Sequence, residues 1–187
     1  MTSYLLRKLI HIFFSAATVL GLLWFYHHNS MEFAQQILLM LLLIFLIIDY
    51  ARIEYHWELW LYHKTEKKRE HTNIHAITQT CIAIVLSLFI FPFPIALTAI
   101  SMSLFGDVAA ALVGKSFGTL KIHKQKSAQG SLAMLIVCCL LGYYFLRNPR
   151  IFVPMALTAT VIEAFTDRME DNLVLPIVTG FVGKLLS

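Results

Sequence analysis

The chain has 187 residues, of which 58% are hydrophobic and 14% charged, and it carries a formal net charge of +4. Soluble domains average about 25% charged, so water alone is a poor solvent for this composition. A bilayer-spanning helix takes roughly 20 apolar residues, which leaves space for six or seven spans and none for a separate soluble domain.

Apolar runs near residues 9–26, 32–50, 74–91, 95–114, 131–147, 150–163 and 173–187 predict about seven transmembrane helices in one integral membrane domain, an all-α polytopic bundle. The last two runs are short for full spans. Arg7 and Lys8 precede the first run as in a signal peptide, but Trp24-Phe25-Tyr26 stands where small cleavage-site residues belong, so the first span is expected to be retained. Residues 52–71 alternate charges with Tyr55, Trp57, Trp60 and Tyr62, which predicts an amphipathic helix at the membrane interface. Pro92-Phe93-Pro94 and Asn148-Pro149 mark tight turns, because proline disfavours the helical conformation in the residue before it.

Seven alternating spans would put the N-terminus and the segments 52–71, 115–130 and 164–172 on one face. Twelve Lys and Arg fall on that face and three on the other, the bias of a cytoplasmic side, and this places the N-terminus in the cytoplasm. The net positive charge therefore reports topology. No basic patch interleaved with exposed aromatics points to nucleic acid. Cys81, Cys138 and Cys139 lie in apolar runs and match no zinc or redox spacing.

Several polar groups on the cytoplasmic face are candidates for chemistry. Arg7 and Lys8 start the first span, and His11 follows one turn later, where an ionisable group needs a partner or water. Asp49 and Arg52 are spaced to pair along a helix. Gly106, Ala110, Gly114 and Gly118 recur every four residues and give a smooth face for close helix packing, which accounts for the glycines. It does not account for Asp107, a carboxylate inside an apolar helix, expected only where it is paired, solvated or bound to a metal. Lys121, Lys126 and Ser127, followed by Gln129-Gly130-Ser131 at the start of the next span, make a basic loop and helix N-terminus suited to phosphate. The lysines alone would equally suit anionic lipid. Glu163, Asp167 and Asp171 are spaced by four, with Asn172 beside them. Their mutual repulsion needs an offset such as Mg2+, which prefers carboxylate or amide oxygens completed by water and substrate phosphates.

In this order the pieces resemble the family of CTP-dependent lipid kinases that includes dolichol kinase, phytol kinase and the fungal diacylglycerol kinase. The resemblance rests on Arg7-Lys8-x-x-His11, Gly106-Asp107-x-x-Ala110-x-x-x-Gly114-x-x-x-Gly118, Lys126-Ser127-x-x-Gly130-Ser131, Glu163, and Asp171-Asn172-x-x-x-Pro176. It implies transfer of the terminal phosphoryl group of CTP, or of ATP, to the hydroxyl of a long-chain lipid alcohol. It also implies catalysis by positioning and charge neutralisation on the cytoplasmic face. Asp107, Glu163 and Asp171 would then serve magnesium or the attacking hydroxyl, with Asn172 as a further ligand. Lys121, Lys126, Ser127 and the Gly130-Ser131 pair would hold phosphates, with Arg7 and Lys8 as further phosphate-binding candidates. Gln129 stands where the family usually has a glutamate. A cytidylyltransferase acting on phosphatidate is a related alternative, although its further lysine-aspartate and histidine-glycine-glycine elements have no counterpart here. A cation or proton transporter with carboxylates at mid-depth is the alternative from another class, and an inactive scaffold is a third.

Overall fold

The computed structural model describes residues 2–28, 30–55, 74–123, 126–166 and 171–187. Among them are seven helices: α1 (Thr2–His27), α2 (Met31–Tyr55), α3 (Ala76–Ile90), α4 (Phe93–Phe117), α5 (Ala128–Leu146), α6 (Pro149–Phe165) and α7 (Asp171–Leu186). They bear out the all-α expectation, with the basic connection after α4 as a local exception. It folds as a two-stranded antiparallel hairpin, β1 (Lys121–His123) and β2 (Lys126–Ser127), with Lys121 opposite Ser127. Two helices also outrun their apolar segments. α1 starts at Thr2 and α2 continues to Tyr55, since Arg, Lys and Glu are good helix formers and do not end a helix when the apolar run stops. Arg52 therefore belongs to the last turns of α2. The rest of the expected interfacial helix falls outside the described residues.

The helix breaks follow from local chemistry. Phe91 ends α3 in extended conformation, its N–H bonded to the Ser87 carbonyl at 3.1 Å, and Pro94 sits in the first turn of α4, where a missing N–H costs nothing. α5 ends at Arg147 in the left-handed conformation (φ 55°). α6 then starts on Asn148, whose side chain accepts from the Arg150 N–H at 3.2 Å, with Pro149 in the first turn. These two tight turns set neighbouring helices antiparallel.

The interior and exterior are inverted relative to a soluble protein. Phe13, Phe14, Leu43, Ile47, Leu140 and Tyr143 are exposed, while Thr78, Ser87, Thr98, Ser101 and Thr179 are buried. Of these hydroxyls Thr98 bonds to the Pro94 carbonyl one turn back (2.7 Å), while those of Thr78, Ser87, Ser101 and Thr179 have no hydrogen-bond partner among the described residues. Such a surface needs lipid around it. Among the described residues three helical stretches, Met31–Glu54, Phe93–Phe117 and Ala128–Leu146, are long and apolar enough to cross a membrane. The chain is a membrane protein. α4 is its central helix: 72% of its apolar window is buried in the bundle, against 6% for α2.

The small-residue face of α4 packs on α5. A Cβ on Gly106 would come within 3.0–3.1 Å of the Met134 and Cys138 side chains, and one on Gly130 would meet the Ala110 carbonyl oxygen at 2.7 Å. The two backbones touch at this crossing, which is what small residues at a helix interface allow.

Candidate active site at the polar end of the bundle

The bundle has one end with few charges and one rich in them. At the first, Tyr26 stacks on Phe93 with centroids 4.1 Å apart, and Lys184 Nζ donates to the Ile90 carbonyl at 3.0 Å. At the second lie the end of α2, the start of α3, the end of α4, the hairpin, the start of α5, the end of α6 and the start of α7.

The hairpin is fixed there by backbone and amide groups. Gly118 N–H bonds to the Gly114 carbonyl (3.1 Å) and closes α4, and Ala128 N–H bonds to the Leu120 carbonyl (2.8 Å). Gln129 holds the turn with both arms of its amide: Oε1 accepts from Leu120 N–H at 3.3 Å and Nε2 donates to Thr119 Oγ1 at 2.5 Å. Ser127 caps α5, its Oγ accepting from Gly130 N–H at 3.2 Å. That bond and the contact with Ala110 give Ser127 and Gly130 structural work in addition to any role toward phosphate.

From this hairpin Lys126 Nζ reaches across to α6 and forms an ion pair with Glu163 Oε1. Glu163 is 3% exposed, and its second oxygen, Oε2, is buried without a hydrogen-bond partner among the described residues. Lys126 stays about a quarter exposed, its side chain at 25%. A buried carboxylate demands a partner, and the hairpin delivers one. Gly142 packs directly on Phe152. Because α5 and α6 run antiparallel from that contact, Ser131 comes level with Glu163. The Ser131 hydroxyl is likewise buried without a partner among the described residues.

Asp107 is half-buried on α4 and takes part in at least one polar interaction. Its depth follows from α7. Ile95 lies against Gly183, and Ser103 and Leu104 line a small gap with Pro176. Each turn down α4 is answered by a turn up α7, so Asp107 comes level with the first turn of α7, where Asp171 and Asn172 stand. The backbone of both is described, and their side chains lie outside the described part. The same is true of Arg7, Lys8 and His11 in the first turns of α1. Asp167 is outside the described residues. Lys121 is exposed on β1.

Asp49 and Arg52 pair as their spacing predicts, Nε to Oδ1 at 3.4 Å, both buried. The other Asp49 oxygen accepts from the backbone N–H of His75 at 3.0 Å, and His75 Nδ1 in turn accepts from Ile77 N–H at 3.3 Å as the cap of α3. The cluster ties the end of α2 to the start of α3. His75 is the polar residue that the sequence pattern missed. It stands inside the apolar run 74–91, and a lone histidine at the edge of such a run carries no pairing signal.

Among the described residues no three His, Cys, Asp or Glu side chains converge to hold a metal ion. The donors that the sequence offers are carboxylate and amide oxygens. They fit magnesium, which takes one or two protein carboxylates and completes its shell with water and substrate phosphates.

The chain is similar to the probable phytol kinase, chloroplastic, of Triticum aestivum, with 37% identity over 111 residues. The similarity covers 50% of this chain and 37% of the length of that relative. No protein-family model matches the chain, and no solved structure matches it.

Proposed function

We propose that the protein is a multi-pass membrane kinase that transfers the terminal phosphoryl group of CTP to the hydroxyl of a long-chain lipid alcohol. The observation that carries this reading is the 37% identity to the probable phytol kinase. The ion pair of Lys126 with Glu163 supports it, because phosphoryl transfer asks a protein for positioned cations and carboxylates and little covalent chemistry. Seven spans with the N-terminus in the cytoplasm agree with the alternating helices and with the bias of Lys and Arg. The whole chain then forms one integral membrane domain with its active site at the cytoplasmic end.

In this mechanism Lys121 and Lys126 hold nucleotide phosphates, and the α5 N-terminus around Ser127, Gly130 and Ser131 adds its dipole. Arg7 and Lys8 add charge from the start of α1. Asp107, Glu163, Asp171 and Asn172 offer the oxygens that magnesium prefers. Bound magnesium would neutralise the charge that develops on the transferred group. The lipid enters from the bilayer, and one of the carboxylates accepts the proton of its hydroxyl.

The test is to incubate the purified, folded protein with magnesium, gamma-labelled CTP or ATP, and a panel of polyprenol, phytol, diacylglycerol and phosphatidate. Label on a lipid alcohol is the expected result. Pyrophosphate release with a CDP-lipid would instead make the protein a cytidylyltransferase, and no turnover with any acceptor would overturn the kinase reading.

Cation transport is the rival reading: it asks for carboxylates at mid-depth, whereas Asp107 comes level with the first turn of α7. Cation flux into proteoliposomes without nucleotide would support it.

A further inference from the structure

The hairpin's cation and the buried carboxylate of α6 satisfy each other. Lys126 is the one part of this pair with access to the outside, at 25% side-chain exposure, whereas Glu163 is enclosed at 4%. Glu163 is held by a single oxygen, since Oε2 has no partner among the described residues. The hairpin that brings the lysine is anchored on the α5 side by Gln129 and Ser127. It also lies against α6 along β1, but its charged contact with that helix is made through this flexible side chain. A lysine is a point charge with rotatable donors and a long stem. Lys126 can therefore change partners without moving the hairpin.

We propose that Lys126 is a shared cation: Glu163 holds it until nucleotide binds, and the polyphosphate of the nucleotide then takes it over, releasing Glu163. This rests on the kinase reading and adds a regulatory step to it. A buried carboxylate left without a cation is strongly disfavoured. Release of Glu163 is then unfavourable until a divalent cation arrives to meet it. Polyphosphate without magnesium must compete with Glu163 for Lys126, while polyphosphate and magnesium together replace both halves of the pair. The ion pair thus acts as a latch that couples binding of the nucleotide to binding of the metal. It also keeps the carboxylate away from the acceptor hydroxyl until the donor is in place.

The dependence of the effect on Lys126 makes it testable. If Glu163 only repels the polyphosphate through its charge, removing that charge strengthens binding whether or not Lys126 is present. If it competes for Lys126, removing its charge strengthens binding only where Lys126 is present. Inorganic tripolyphosphate and CTP, each in EDTA, should bind Glu163→Gln at least about tenfold more tightly than wild type, the lower end of measured couplings between close charge pairs. The double variant Lys126→Gln/Glu163→Gln should bind no more tightly than Lys126→Gln alone. Glu163→Asp, which retains the charge but shortens its reach, should change affinity in the same direction by less, and it serves if the glutamine variant does not fold. Equal or weaker binding by the folded Glu163 variants, or a gain that persists in the double variant over Lys126→Gln, overturns the latch. These binding measurements involve no acceptor lipid. A failed latch with intact label transfer by wild type leaves the kinase reading standing, and absent transfer with the predicted affinity gain does the reverse.

Discussion

Gly130→Ala tests how the polar end is held together. The new Cβ would lie 2.7 Å from the Ala110 carbonyl oxygen, 3.2 Å from Gly114 Cα and 3.2 Å from Ser127 Oγ. Two of these atoms are backbone, and no flexible side chain can move aside, so α4 and α5 must separate by several tenths of an ångström. Overpacking of this kind costs about 1–3 kcal/mol, and disturbing the Ser127 cap adds up to about 1 kcal/mol. For a chain of this size, about 3 kcal/mol corresponds to a fall in Tm of roughly 6–12 °C. Gly21→Ala is the control. It lies in α1 with nothing within 4 Å of a Cβ, and glycine-to-alanine in a helix interior gains roughly 0.5–1 kcal/mol. Thermal unfolding of both variants in one detergent, followed by circular dichroism, should rank them on opposite sides of wild type. A Gly130→Ala protein that melts with or above wild type would refute the close backbone contact.

Asp49→Ala removes a partner of a buried guanidinium and an acceptor of the His75 N–H, and should destabilise by at most about 3–5 kcal/mol. Asp49→Asn, which can still accept from His75, should lose less; equal losses would mean that the charge does not matter. Gln129→Glu should keep stability and activity, because a carboxylate can accept from both Leu120 N–H and the Thr119 hydroxyl. Gln129→Ala should raise the apparent KM for nucleotide several-fold with a smaller change in kcat, and a metal-dependence curve shifted equally by both variants would instead make residue 129 a ligand. Asp107→Asn should reduce phosphoryl transfer by roughly 10²-fold or more, the scale of losing one charge-stabilising group. It should leave binding of magnesium-free CTP near wild type.

The helices were legible because an apolar run longer than one turn announces itself, and prolines at 92, 94 and 149 mark where such runs must stop. Their true ends were not, since charged residues such as Arg7 and Glu54 continue a helix as readily as leucine does. The Asp49 and Arg52 pair was readable from a spacing of three on one helix. The Asp49 bond to His75 was not, because no local pattern joins residues 26 apart. The same limit hid Lys126 from Glu163: sequence offered each as a candidate for a different partner, phosphate for one and metal for the other. Only the antiparallel course of α5 and α6 brings the start of one to the end of the other.

Gln129 shows why a departure from a family pattern is best judged on contacts. A glutamine where the resembled lipid kinases usually have a glutamate puts activity in doubt if that glutamate binds metal, and can serve if it only hydrogen-bonds. Here both arms of its amide are engaged by Leu120 and Thr119, so the position works on the hairpin. The hairpin in turn hangs from the Gly114, Gly118 and Gly130 contacts, where Ser127 Oγ would lie within 3.0 Å of a Cβ on Gly114 and 2.8 Å of one on Gly118. Any side chain at these glycines would crowd Ser127 and so displace its neighbour Lys126. The small-residue face therefore has a consequence beyond helix packing: it sets how far the lysine must reach to meet Glu163, and so whether one cation can serve a carboxylate and a phosphate in turn.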